Sequence, residues 1–253
     1  MSTALITGAT SGLGLEFARQ LAARGDAVVL VARTETRLRE VAAELEAAHG
    51  VTAEILVADL ADRADVDRVA ERARTVDTVV NNAGFGMRQP FLDNDIAVEE
   101  EMFDVLCRAV LVICHAAGQA MKERGRGQII NVSSVAGWLA SGTYSAAKSW
   151  VTVFSESLAG ELSHSGVTVT ALCPGFVRTE FHQRAGIGTG SIPGRAWLDA
   201  ERVVRTCLRD AGRRKVISVP GALYKGVVIA ARLAPRRLLR RSGSAVAQAR
   251  LAR

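Results

Sequence analysis

The sequence predicts a doubly wound α/β domain, a parallel sheet covered by helices on both faces. Two observations predict it. Short runs of apolar, largely β-branched residues recur along the chain, and nearly all are followed by a segment of helical periodicity. The first run also ends in a cluster of glycines where the chain must turn from strand to helix.

The elements follow in order. Residues 4–6 form the first apolar run, and residues 13–23 have helical spacing. Residues 27–31 lead to a charged helical stretch at 35–48, and residues 53–57 lead to a helical pattern at 62–73. A fourth run at 76–80 precedes a long helical pattern at 98–123, and a fifth at 128–132 precedes a helix over about 143–162. The sixth and seventh runs, 167–172 and 216–219, flank a helix near 200–209. This order predicts a single seven-stranded domain over residues 1–220, followed by a basic extension at 221–253. Right-handed crossovers place ligands beyond the carboxyl ends of such strands. The Gly- and Ser-rich stretch at 183–195 is a candidate lid.

Composition narrows the class. Hydrophobic residues make up 49% and charged residues 23%, the balance of an ordinary soluble domain. No run approaches the roughly 18 apolar residues needed to cross a bilayer. The first residues carry no basic region, so a cytoplasmic location is expected. Cys107, Cys114, Cys173 and Cys207 are scattered through apolar segments, without zinc-type spacing, and the histidines are isolated, so no metal is expected. The sequon at Asn131-Val132-Ser133 lies inside a predicted strand and is discounted. A hydrolase is not expected, because no GxSxG elbow occurs. The net charge of +6 is uneven: eleven Lys/Arg and no acid lie from Arg213 to Arg253, which leaves −5 on the preceding 212 residues.

Thr7-Gly8-Ala9-Thr10-Ser11-Gly12-Leu13-Gly14 sits between the first strand and the first helix. Glycines there permit a tight turn and a close approach to a pyrophosphate, whose charge the helix start stabilises. Asn81-Asn82-Ala83-Gly84 follows strand four, Ser133-Ser134 strand five and Pro174-Gly175 strand six, while Tyr144-Ser145-Ala146-Ala147-Lys148 opens a helix. With these motifs in this order, the chain resembles the short-chain dehydrogenase/reductase family over about residues 2–220. The resemblance implies a Rossmann-type fold, a nicotinamide cofactor, a small carbonyl or alcohol substrate, and a homodimer or homotetramer.

Each motif also has a chemical reading. Asn81, Ala83 and Gly84 would border a ribose or adenine; Asp59 and Leu60 would offer the adenine an acceptor and an apolar wall. Pro174-Gly175 would fix a turn whose following N–H groups, Val177 among them, meet a carboxamide, and Thr179 offers a hydroxyl to phosphate. At the end of strand two stands Arg33, with no acid before Glu35. An arginine there suits a 2′-phosphate, so NADP is expected over NAD.

Tyr144 and Lys148 are four apart on one helix face. A free tyrosine, with a pKa of about 10, is a poor base at neutral pH. An adjacent ammonium favours the phenolate, and in reduction the phenol protonates the carbonyl oxygen. Ser134 is expected to hold that oxygen; the tract from it to Tyr144 is shorter than the family's, and Ser133 is the alternative. Leu106 stands where family members typically carry an asparagine that shapes a helix kink and a water route to the lysine. That departure keeps a second reading open, a nucleotide-binding sensor without turnover. Trp138, Leu139, Phe176, Phe181 and Trp197 suggest a pocket for a hydrophobic ketone.

In the extension, Leu223, Val227, Ala230, Ala231, Ala234 and Leu238 share one predicted helix face, opposite Lys225, Arg232 and Arg236. Two readings stand: an amphipathic segment at an anionic membrane surface, or a helix docked on the body or on another subunit. A nucleic-acid partner is not expected.

Overall fold

The structure, a computed structural model, describes residues 2–87, 89–181, 193–235 and 237–240. The seven strands are β1 (Thr3–Thr7), β2 (Ala27–Ala32), β3 (Ala53–Val57), β4 (Thr78–Asn81), β5 (Gly127–Val132), β6 (Val167–Leu172) and β7 (Ile217–Ser218). They pair in the order β3-β2-β1-β4-β5-β6-β7, and every pairing is parallel. The order reverses between β1 and β4, which opens a crevice beyond their carboxyl ends.

The helices are α1 (Gly12–Ala22), α2 (Glu35–His49), α3 (Arg63–Ala73), α4 (Ile96–Phe103), α5 (Ala109–Arg124), α6 (Gly142–Glu161), α7 (Ala200–Gly212) and α8 (Ala222–Leu233). Alternation along the strands divides the core. Ala4, Ile6, Val28 and Leu30 face one side of the sheet, against Phe17, Leu21, Leu38, Leu45, Val203 and Cys207. Leu5, Val29 and Val31 face the other, against Val66, Val69, Ile113 and Met121. A strand buried on both faces needs an apolar residue at nearly every position, which is why the runs were continuous.

Two local features differ from the sequence reading. The helix expected over 98–123 is interrupted by a π-helical turn, Asp104–Arg108, in which the amide of Ala109 donates to the Asp104 carbonyl. The extension is helical as expected, but the face it buries is another one. Tyr224, Val228 and Ala231 pack against Ala171, Cys173 and Val219, so α8 is docked on the body. Of the predicted apolar face Ala231 is buried and Ala234 half-buried, while Leu223, Val227 and Ala230 point away. Most of the candidate lid, residues 183–192, lies outside the described residues.

Candidate active site

The glycine turn is built by close approach. Gly8 and Gly12 have φ of +66° and +54°, in the left-handed region that glycine adopts without strain. Gly14 lies in the first turn of α1, and a Cβ there would stand 2.1 Å from the Gly8 carbonyl oxygen and 2.4 Å from Asn82 Nδ2. No side chain fits. The turn is also tied to the end of β4. Thr7 Oγ1 accepts from the amides of Asn82 at 2.9 Å and Ala83 at 3.0 Å. Asn82 Nδ2 in turn donates to the Thr7 carbonyl at 2.9 Å. Thr7 and Asn82 stand within the motifs read from sequence but carried no assigned contact there, because their work is holding the turn rather than lining it.

Around this turn the predicted cofactor residues separate into two groups. Thr10, Ser11 and Leu13 lie, partly exposed, on the turn and at the start of α1. Thr179 reaches it from the chain after β6: a Cβ on Gly12 would stand 3.4 Å from Thr179 Cβ. Arg33, at the end of β2, is 68% exposed, with Nη1 3.9 Å from both Asp59 Oδ2 and Glu101 Oε1. Ion pairs so long and exposed contribute little and leave the guanidinium available. Asn81 ends β4, and Leu60 and Val177 follow a few residues after β3 and β6, yet their side chains are buried. The Asn81 amide donates to Asn131 Oδ1 at 2.9 Å, and Asn131 donates to Ser155 Oγ at 3.0 Å, an inward polar chain. With its side chain turned inward, Asn81 can border a ligand only through its backbone. The cradle suits a dinucleotide: its backbone can approach a pyrophosphate where any side chain would intervene, and the start of an eleven-residue helix faces it.

The second half of the site is set by α6. Lys148 is 5% exposed and donates from Nζ to the Val132 carbonyl at 2.7 Å. Nζ lies 5.8 Å from the centre of the Tyr144 ring, one helical turn earlier. Gly84 nearby leaves room for Leu106: a Cβ there would stand 2.5 Å from Leu106 Cδ2, while Lys148 Nζ would be in ordinary contact at 3.8 Å. Burial lowers the Lys148 pKa to about 8, opposing contributions from Cys107 and Cys173 being smaller. Both thiols are themselves pushed up by burial, Cys107 to about 11 and Cys173 to about 12, and stay neutral at pH 7.

The two serines after β5 differ sharply. Ser133 is buried, its hydroxyl 2.7 Å from the Lys148 carbonyl and 2.7 Å from Thr152 Oγ1, so it braces α6. Ser134 is partly exposed and caps the 3₁₀ turn Val135–Trp138, accepting from the Ala136 amide at 3.1 Å. Gly137 allows that turn to lie on α6: a Cβ would be 2.9 Å from the carbonyl carbon of Lys148. Tyr144 and Lys148 thus share α6, and Ser134 follows β5 at the head of the 3₁₀ turn that packs on that helix.

Leu106 does not straighten its helix. It is 1% exposed in the π-helical turn and packs with Met102, Cys107 and Ala147, with Tyr144 and Phe85 at the edge of the cluster. The irregular turn expected of an asparagine is kept here by apolar packing.

The five candidate pocket residues are not all together. The Phe181 ring lies 6.2 Å from Tyr144, and Phe176 pairs with Trp197 at 5.8 Å. Trp138 instead lines a cleft of about 330 Å³ between α6 and α8, beneath Arg232. One further residue escaped the sequence reading. Tyr224 of α8 donates to the Ala196 carbonyl at 2.6 Å and accepts from the Phe176 amide at 3.1 Å. Its ring fills the space a Gly175 side chain would need, with Cζ 2.0 Å from that Cβ position. The helix outside the expected domain thus pins the Pro174-Gly175 turn.

Among the described residues no helix is long and apolar enough to cross a membrane, and no group of His, Cys, Asp and Glu could hold a metal. The family model of short chain dehydrogenases matches residues 2–188. Sulfoacetaldehyde reductase 2 of Chromohalobacter salexigens is 39% identical over 186 residues, 70% of this chain and 73% of the relative. The structure of a short-chain dehydrogenase from Sphingobium yanoikuyae in complex with NADPH has a TM-score of 0.85 and 33% identity, covering 92% of this chain and 94% of that one. The bulky-bulky ketone specific alcohol dehydrogenase from Comamonas testosteroni gives 0.80 and 28%, covering 92% of each chain. With its parallel Rossmann-like sheet and the matched residues 2–188, the chain belongs to the short-chain dehydrogenase/reductase family and is an NAD(P)-dependent oxidoreductase acting on CH–OH groups.

Proposed function

We propose that the chain is an NADPH-dependent reductase of a hydrophobic ketone, with Ser134, Tyr144 and Lys148 as its catalytic residues. The observation that carries this reading is the buried Lys148 ammonium beneath the Tyr144 ring, at the inner end of the glycine cradle. The turn of Gly8, Thr10, Ser11, Gly12, Leu13 and Gly14 holds the pyrophosphate, assisted by Thr179. Arg33 takes the 2′-phosphate; Asp59, Leu60, Asn81, Ala83 and Gly84 border the adenosine, the buried residues through backbone groups. Pro174, Gly175 and Val177 meet the carboxamide. NADPH supplies the hydride.

The protein's own part is proton chemistry and positioning. Ser134 donates a hydrogen bond to the ketone oxygen and fixes its distance from Tyr144. Tyr144 Oη gives its proton to that oxygen as negative charge develops there. Lys148 stabilises the phenolate left behind, and its bond to the Val132 carbonyl stops the long side chain from moving away. Phe181 beside Tyr144, with the Phe176–Trp197 pair, supplies apolar walls. The Comamonas enzyme's bulky ketones and the NADPH bound to the Sphingobium protein agree with these assignments. The π-helical turn at Leu106 keeps the helix irregular there, which supports turnover over a sensor without it.

Two predictions test the reading. Charge-assisted bonds to a phosphate are worth roughly 1.5–3 kcal/mol, about ten- to a hundredfold in preference. Arg33→Asp is therefore expected to shift the NADPH/NADH ratio of kcat/KM toward NADH by about that factor. An unchanged ratio would show Arg33 to be only a surface charge.

The second concerns pH. With its pKa lowered to about 8, Lys148 keeps its charge below that pH and loses it above. The kcat for reduction should fall above pH ~8, and Lys148→Met, with much lower activity, should lack that limb. Stability moves the other way. The folded value lies below the usual 10.5, so the cost of the buried ammonium is full below pH 8 and relieved as pH rises toward 10.5. An alkaline limb that persists in the variant would assign it to another group.

A further inference from the structure

The outward arc of α8 has no role in the site. Its inner face, Tyr224, Val228 and Ala231, is buried against the body. Ala222, Leu223, Gly226, Val227, Ile229, Ala230 and Leu233 all point outward, a continuous apolar arc with no charged residue within it. Exposure reaches 53% at Leu223, 59% at Ile229 and 81% at Leu233, and Leu238 just beyond the helix is 56% exposed. Scattered exposed apolar residues are ordinary, but a contiguous set covering more than one side of a helix marks a surface that meets something. Lys225 and Arg232 edge the arc, Arg237 and Arg240 follow it, and no acid occurs from Arg213 to the end of the chain.

We propose that this arc of α8 lies in the interface of an anionic lipid surface. Charge selects the occupant. Two copies meeting symmetrically through the arc would bring together two segments that carry Lys225, Arg237 and Arg240 and no carboxylate to pair with them. Glu156 of α6 stands 3.6 Å from Arg232 and offsets only that cation. A bilayer carrying acidic headgroups satisfies both halves of the pattern, taking the apolar arc among its acyl chains and the cations among its phosphates. The inner face remains on the body throughout, so binding requires no unfolding of α8.

The full-length protein should sediment with phosphatidylcholine vesicles carrying about one-third phosphatidylglycerol, and be released by about 0.5 M NaCl. Ile229→Glu/Leu233→Glu should lower that binding by roughly tenfold or more while NADPH binding is unchanged, showing that the variant is folded. No binding of the parent protein to the acidic vesicles would overturn the proposal. So would equal binding to pure phosphatidylcholine, because the cations would then play no part. A parent protein that ignores vesicles, and a variant that changes from oligomer to monomer in sedimentation equilibrium, would assign the arc to a second copy instead.

Discussion

Tyr144→Phe is expected to lower kcat for ketone reduction by roughly 10²–10⁴-fold or more, the range that general acid–base assistance provides. The ring still packs near Phe181 and above Lys148, and only the proton is lost. The dissociation constant for NADPH, read by quenching or calorimetry, should therefore change by no more than about twofold, within roughly 0.4 kcal/mol. A variant that kept more than a tenth of the parent kcat would remove Tyr144 from the role of acid. The effect should also be non-additive with Ser134→Ala, since two groups acting on one oxygen share one transition state.

Gly14→Ala is the other large effect, and it lies at the opposite end of the cofactor. An added Cβ would meet the Gly8 carbonyl oxygen at 2.1 Å and Asn82 Nδ2 at 2.4 Å, and neither can move freely. Gly8 belongs to the tight turn, and Asn82 is committed to the Thr7 carbonyl at 2.9 Å. Relief requires α1 to shift away from β1 and β4, which opens the cradle. NADPH affinity should fall by about a hundredfold or more, a loss near 3 kcal/mol, with a fall in melting temperature of about 2–12 °C for an overpacking cost of 1–3 kcal/mol. Unaltered affinity would mean that the turn does not hold the pyrophosphate. Gly25 is the internal control: it has a positive φ, but nothing lies within 4 Å of its Cβ position. Its substitution should affect stability without affecting NADPH.

Much of this was legible in the sequence. The strands were, because a parallel sheet buried on both faces writes itself as continuous apolar runs. The glycine turn was, because only a backbone without side chains fits between β1 and α1. What the sequence could not carry were contacts decided by a distant partner. Asn81 was expected to line the crevice, but its direction is set by Asn131 on the neighbouring strand, 50 residues away. Ser133 and Ser134 point to different surroundings, and only Thr152 and the Lys148 carbonyl reveal which one is spent on structure. Tyr224 belonged to a segment read as a separate amphipathic extension, and its bond to the Phe176 amide spans 48 residues. The helical period gave α8 but not which of its two apolar faces would be buried. The π-helical turn at Leu106 had no local signal beyond the kink that the family resemblance implied at that position. It follows from how Leu106 fills the space over Gly84 and how Cys107 packs against α6, which no local pattern records.

Hydride transfer from NADPH to a ketone is read as NADPH absorbance in the presence of a graded panel of hydrophobic ketones. A ketone-dependent loss of absorbance is expected, faster with NADPH than with NADH and absent in Tyr144→Phe. NADPH that binds tightly but is not consumed with any ketone of the panel would contradict it.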